Sequence, residues 1–220
     1  MFTNEEDVAM RIPAIIAALS LSLAAPVAMA KDVQTAIFAG GCFWCVEKDM
    51  DEIDGVLDTV SGFTGGNVAN PSYKEVSRGG TGHREAVQVT FDADVISFED
   101  LTHRFLRTVD VTDAGGQFCD RGHQYSTAIF ATSQEQIQVA EDLVDAAEAQ
   151  LGRDVVTPVE LAGPFYEADE YHQNYHTQRG IILTRFGPLT KATAYKKYRE
   201  ACGRDVRVKE VWGSSAYAGS

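Results

Sequence analysis

The sequence predicts a single α+β domain, and three observations carry that reading. The 220 residues are 45% apolar and 23% charged, enough for one hydrophobic core and too apolar for wholesale disorder. Strand-like and helix-like segments are mixed without strict βα alternation, which favours α+β over a doubly wound sheet. No internal repeat, low-complexity block or Pro- or Ser-rich linker divides the chain.

The first thirty residues stand apart. Ile12 to Ala30 carries no charge, follows Arg11 and closes on Ala28-Met29-Ala30. A basic flank, an apolar stretch and a small-x-small end describe a secretory signal cleaved after Ala30. Glu5, Glu6 and Asp7 are acidic where positive charge is expected, so Met10 offers a second start. The alternative is an uncleaved N-terminal membrane anchor. Residues 31–220 then form one catalytic domain in an oxidising compartment, the periplasm in a bacterium.

Within that domain the elements follow in order. Val33 to Ala39 is apolar and β-branched, a strand broken by Gly40-Gly41. Cys42 to Asp54 has a helical pattern that ends before Gly55. Val56 to Gly62 alternates as a strand. Asn67 to Gly82 is a loop rich in Gly, Asn, Pro and Ser with room for one helical turn. Glu85 to Phe91 alternates again. Ser97 caps a helix to Val109, with Asp100 completing a capping-box-like pattern. Val111 to Gly122 is a polar loop containing Cys119. Tyr125 to Ala131 is a strand. Ser133 caps a helix to Leu151, with Ile137, Ala140, Leu143, Val144 and Ala147 on one stripe. Val155 to Leu161 is a strand that Pro158 assigns to an edge or bulge. Glu167 to Thr177 and Lys191 to Ala201 are helices, and the tail after Cys202 has no clear period.

Nineteen Lys and Arg against 32 Asp and Glu give a net charge of −13, with no basic run. That excludes nucleic acid as the main partner, because phosphate binding needs clustered cations. All four cysteines, Cys42, Cys45, Cys119 and Cys202, lie in the exported part.

The strongest chemical signal is Gly40-Gly41-Cys42-Phe43-Trp44-Cys45-Val46-Glu47. A strand runs into two glycines and then a cysteine at a helix start. Unpaired N–H groups and the positive end of the dipole there predict a lowered thiol pKa and a nucleophilic Cys42. Cys45, three residues on, shares the helical face and lies within disulfide reach. The same residues admit a thioredoxin-like C-x-x-C oxidoreductase. They also admit a zinc site of Cys42, Cys45, Cys119 and His123, although the C-x-x-x-H spacing of the second pair is loose.

Four segments then occur in a telling order: Gly41-Cys42-Phe43-Trp44, Thr81-Gly82-His83-Arg84-Glu85-Ala86-Val87, Asp120-Arg121-Gly122-His123-Gln124-Tyr125-Ser126 and Tyr171-His172-Gln173-Asn174-Tyr175. Together they resemble the A-type peptide methionine sulfoxide reductases, from about Thr35 to about Tyr175. The resemblance implies a ferredoxin-like two-layer α+β sandwich with extra C-terminal helices. It implies thiol-dependent reduction of methionine-S-sulfoxide, free or protein-bound, through a Cys sulfenic acid and an intramolecular disulfide. No bound cofactor or metal is implied. The implied partners are oxidised proteins or peptides and an external thioredoxin-like reductant, and the chain is expected to act as a monomer.

Carried over residue by residue, Cys42 is the nucleophile, and Phe43 and Trp44 line a pocket for the S-methyl group. Glu85 is the acid, Tyr73 and Tyr125 are donors near the sulfoxide oxygen, and Asp120 is a polar member of the site. A sulfoxide sulfur is a poor electrophile until its oxygen is protonated, so thiolate attack needs a nearby acid. Burial of Glu85 against Phe43 and Trp44 would raise its pKa enough to keep it protonated near pH 7. Three cysteines are candidates for resolving the sulfenic acid. Cys202 is slightly favoured, because a C-x-x-C ring with Cys45 is strained; Cys119 adjoins Asp120. Position 45 is often glycine in the family, and the surroundings of Cys202 lack the family's glycine-rich tail.

Other signals read as structure. His172 and His176, four apart, lack a third ligand and are packed or hydrogen-bonded. Tyr171 and Tyr175 are core-facing, and Glu167, Asp169 and Glu170 form a solvated face. The glycine pairs 65–66, 79–80 and 115–116 mark turns, not phosphate loops.

Overall fold

The computed structural model describes residues 1, 31–184 and 187–218. The chain divides into two units, Met1–Ala30 and Lys31–Ser220. The expected leader lies outside the described residues, and the fold is that of the second unit.

The elements run β1 (Val33–Gly40), α1 (Phe43–Asp51), β2 (Val56–Thr64), α2 (Tyr73–Arg78), β3 (Arg84–Asp92), α3 (Phe98–Leu106), then the two-residue strands β4 (Gly116–Gln117) and β5 (Asp120–Arg121). They continue with β6 (Thr127–Ala131), α4 (Gln134–Leu151), β7 (Val159–Leu161), β8 (Tyr166–Glu167), β9 (Ile181–Thr184), β10 (Gly187–Thr190), α5 (Lys191–Ala201) and α6 (Arg204–Trp212). Among the described residues one six-stranded sheet has the order β7-β6-β1-β3-β2-β8. Its central β6-β1-β3-β2 segment is wholly antiparallel, and β7 joins β6 in parallel. With α1 between β1 and β2 and α3 between β3 and β6, that is the βαββαβ weave of a ferredoxin-like sandwich. The α+β expectation holds.

Period-two alternation divides β1 between two faces. Ala36 and Phe38 join Val87, Val89, Phe91 and Ile129 under the helices, with Leu101 and Phe105 of α3. Ile37 and Ala39 join Ala86, Ala128 and Phe130 on the other face, covered by Ala162 and Phe165. Because both faces are covered, β1 is a continuous buried run instead of an in–out alternation. The expected caps are present: Ser97 accepts from Asp100 N–H and Ser133 from Gln136 N–H. The one-turn expectation in the 67–82 loop is α2, closed by a full capping box between Ser72 and Glu75. Pro158 directly precedes the edge strand β7.

Three sequence readings fail. Glu167 to Thr177 is not a helix but a chain of single turns, His172 N–H to Asp169 O, Gln173 N–H to Glu170 O and Thr177 N–H to Asn174 O. Asn174 has a left-handed φ of 50°, and Gln173 spends its side chain on the backbone of Ser61 and Ala168. Tertiary hydrogen bonds thus replace the helical ladder. With no helix, the i, i+4 argument for Tyr171 and Tyr175 lapses: Tyr175 is buried, whereas Tyr171 is 48% exposed. The tail after Cys202, read as aperiodic, forms α6, which buries Arg204, Val208, Val211 and Trp212.

Candidate active site

The site is assembled at the β1–α1 junction, and the glycines there have no substitute. Gly41 sits at φ 87°, and a Cβ on it would lie 2.6 Å from the Cβ of Gln117. Cys42 then occupies the N-cap position of α1 without capping through its side chain. The first free N–H of the helix, that of Phe43, donates instead to Glu85 Oε2 at 3.1 Å. A carboxyl from the sheet thus takes the place of a cap. Glu85 can do so because alternation along β3 puts it on the face of Val87, Val89 and Phe91, towards the helices.

Glu85 is 2% exposed. Burial pushes its pKa up to about 8 against the pull of the Phe43 N–H, with the negative charges of Asp120 and Cys45 adding to the rise. The carboxyl is therefore mostly protonated at neutral pH, beside Cys42.

The aromatic floor lies around it. Phe43 is almost fully buried and its ring centre is 6.1 Å from Tyr73, 5.9 Å from Phe63 and 5.3 Å from His172. Trp44 stacks on Tyr175 at 3.8 Å and 9°. Tyr73 opens α2, and Tyr125 closes the single 3-10 turn His123–Tyr125. Burial raises both phenols, and the negative charge of Glu85 is the next cause in each. They are hydrogen-bond donors at neutral pH. Asp120 begins β5, and burial raises its carboxyl. Its Oδ2 accepts from the hydroxyl of Tyr198 on α5. Cys42, Phe43, Trp44, Glu85, Tyr73, Tyr125 and Asp120 are all brought to this one place.

Cysteine chemistry differs from the helix-start argument. Burial drives the Cys42 thiol well up, reinforced by its hydrogen bond to Cys45 and by the negative charges of Cys45, Glu85 and Asp120. Cys45 is held down, first by that same hydrogen bond and then by Arg204 and Arg199, in opposition to burial. The dipole of a short helix does not overcome a dry site for Cys42. Cys119 and Cys202 are disulfide-bonded to each other, with Cα atoms 5.1 Å apart, while Cys42 and Cys45 are free and buried. Cys119 is thereby withdrawn from the zinc set, and His123 Nε2 contacts Gly82 O. Among the described residues no group of three or more His, Cys, Asp or Glu is placed to hold a metal ion.

Two neighbours escape the sequence reading. Tyr198 lies one helical turn before Cys202, so placing that cysteine near the site would have placed Tyr198 too. Arg204, 1% exposed, donates to Gly40 O at 3.0 Å and lies 3.6 Å from Asp49. An arginine in an unassigned tail gives no such signal. Beside the site, an apolar cavity of about 490 Å³ is lined by the Cys119–Cys202 bridge, Tyr198, Leu189 and Ala194.

The family model described as "Peptide methionine sulfoxide reductase" matches residues 34–211. The peptide methionine sulfoxide reductase MsrA 2 of Rhizobium meliloti is 47% identical over 192 residues, covering 87% of this chain and 90% of that relative. MsrA of Bacillus subtilis is 43% identical over 188 residues, 84% of this chain and 99% of its own. Among solved structures, methionine sulfoxide reductase A of Corynebacterium diphtheriae aligns with a TM-score of 0.62 at 32% identity, over 65% of this chain and 73% of that one. Mxr1 of Saccharomyces cerevisiae in its reduced form gives 0.63 at 30% identity, over 65% and 83%. With the cysteine at a helix start, the buried carboxyl and the aromatic floor in one site, the chain belongs to the peptide methionine sulfoxide reductase family, as an A-type, thiol-dependent reductase of methionine-S-sulfoxide.

Proposed function

We propose that Cys42 attacks the sulfoxide sulfur while Glu85 protonates its oxygen, and that Cys45 resolves the product. The observation that carries this is the protonated Glu85 carboxyl held by the N–H next to Cys42. As the Cys42 thiol attacks, its proton passes to the Cys45 sulfur, to which it is already hydrogen-bonded. Tyr73 and Tyr125 donate to the departing oxygen, and Phe43 and Trp44 hold the S-methyl group. The sulfoxide S–O bond breaks and its oxygen leaves as water; water then attacks the Cys42 sulfur, the bond between the two sulfurs breaks with its electron pair going to the substrate, and methionine departs, reduced by two electrons, leaving Cys42 oxidised as a sulfenic acid. Cys45 then attacks Cys42, the S–O bond breaks, and water leaves with the remaining proton. Although the sequence leans towards Cys202, its bond to Cys119 leaves Cys45 as the free thiol beside Cys42.

An external thioredoxin-like dithiol returns the Cys42–Cys45 disulfide to thiols. Oxidised proteins and peptides are the substrates, and no metal or bound cofactor takes part. The leader signature supports export to the periplasm, with the mature chain starting at Lys31; a mature protein of full mass would overturn that part. Turnover of each methionine sulfoxide epimer with dithiothreitol tests the whole. Loss of the S epimer alone is expected, and activity on neither epimer sinks the reading.

A further inference from the structure

We propose that Glu47, which takes no part in the reaction itself, is a positioning residue that sets the plane of Trp44 through the backbone of Asn174 and Tyr175. This rests on the reading that Trp44 lines the methyl pocket.

Glu47 lies on α1, the helix that also carries Trp44, and its side chain is fully buried. Its Oε1 accepts the Asn174 N–H at 3.0 Å. Asn174 is left-handed, at φ 50°, so its N–H has left the local run of turns and needs an outside acceptor. The buried carboxyl holds the backbone one residue before Tyr175 and so fixes the direction in which Tyr175 leaves it. The Tyr175 ring lies 3.8 Å from Trp44 at 9°.

Trp44 depends on that contact. Its indole Nε1 is buried and has no hydrogen-bond acceptor, so packing alone orients the ring. Its other ring contacts are His172, at 5.8 Å, the edge of Tyr198, at 6.3 Å, and Phe43, at 6.4 Å. Gln173 ties the same segment to Ser61 of β2. Glu47 is the fully buried tie between the segment bearing Tyr175 and the helix bearing Trp44, beside the partly exposed His176–Asp51 pair at 3.4 Å.

The groups facing Glu47 show that the tie needs an acceptor and not a charge. Burial pushes the carboxyl up to about 7, with Asp51 adding to the rise, while burial lowers His176, whose Nδ1 lies 4.0 Å from Oε2. A glutamine keeps an acceptor for the Asn174 N–H and offers an amide N–H towards the unpartnered His176 Nδ1.

Steady-state reduction of methionine-S-sulfoxide with dithiothreitol tests this in Glu47→Gln, Glu47→Leu, Tyr175→Leu and the Leu/Leu double variant. Glu47→Leu and Tyr175→Leu are each expected to raise KM by roughly threefold to tenfold, the worth of one ring stack, with kcat nearly unchanged. Glu47→Gln restores the wild-type KM, and the double variant is no worse than either single one, because both act on one contact. Multiplying effects, or a Glu47→Leu protein with unchanged KM and only a lower Tm, would overturn the proposal. Glu47→Asp, which withdraws the carboxyl by one methylene, replaces Glu47→Leu if that variant does not fold, with the same expected rise in KM. Emission of Trp44 in a Trp212→Phe background is read without substrate. A shift in Glu47→Leu that Glu47→Gln lacks supports the tie, and no shift refutes it. A wild-type protein inactive on sulfoxides instead fails the functional reading and leaves the emission test standing.

Discussion

Replacing Glu85 by glutamine is expected to make the protein more stable and nearly inactive, with a gain that depends on pH. An ordinary glutamate titrates near 4.5, while burial holds Glu85 at about 8. Because the native pKa is raised, the native state binds a proton that the unfolded chain releases. The associated stability is complete below pH 4.5, declines between 4.5 and 8, and is gone above about 8. The full span of about 3.5 pH units corresponds to about 5 kcal/mol, of which about 3 kcal/mol has been lost by pH 7 and under about 1 kcal/mol by pH 5. Glutamine keeps the shape and an acceptor for the Phe43 N–H but does not titrate. Its amide protons must find partners, an offset of about 1 kcal/mol that does not change with pH. The diagnostic quantity is therefore the change in ΔΔG between pH 5 and pH 7, about 2–3 kcal/mol in favour of the variant. For a domain of this size that is roughly 5–10 °C in relative Tm, easily read by calorimetry under non-reducing conditions. Sulfoxide reduction should fall by roughly two orders of magnitude or more at pH 7. A stability difference that stays flat from pH 5 to pH 8 would refute the raised pKa. Near-normal turnover would refute the acid role even if the stability change appears.

Cys45→Ser should release one methionine per enzyme and then stop, whereas Cys202→Ser should keep turning over; acid-quench product counts separate the two. Cys202→Ser also loses a crosslink that spans 83 residues, which costs about 4 kcal/mol of stability by denaturant titration under non-reducing conditions. Tyr198→Phe removes the hydroxyl donor to Asp120 and should lower kcat/KM by roughly tenfold, in line with one charge-assisted hydrogen bond. Gly41→Ala puts a Cβ at a left-handed φ against Gln117 and should cost about 2–5 kcal/mol, measured by urea unfolding.

The ferredoxin-like core was legible because its segments agree at every level. Ser97 and Ser133 cap where an apolar helical period begins, and β3 alternates cleanly. The failures share a cause: backbone groups were satisfied from outside the local sequence. Glu167 to Thr177 has the composition of a helix, but Gln173 of the segment bonds Ser61 of β2, Glu47 of α1 accepts the Asn174 N–H, and Asn174 turns left-handed. Conversely, α6 carries a readable stripe in Arg204, Val208, Val211 and Trp212. It is hidden because its first inward residue is an arginine and Val206, an apolar residue, faces solvent at 64% exposure.

The site divides along the same line. Cys42, Phe43, Trp44 and Glu85 are readable because their chemistry depends on local geometry: two glycines, a helix start and a strand face. The ionisation of Cys42 is not local. The helix start argues for a thiolate, but the cost of burying a charge exceeds what one short dipole returns. Cys45 is instead pulled down by its hydrogen bond to Cys42 and by Arg204 and Arg199. Those arginines come from α5 and α6, far along the chain. The sequence shows two sulfurs three residues apart at a helix start, but the pull that separates their pKa values comes in part from cations that only the fold brings in. The C-x-x-C spacing thus sets a hydrogen-bonding sulfur beside Cys42, and a glycine at position 45 would leave Cys42 without that partner.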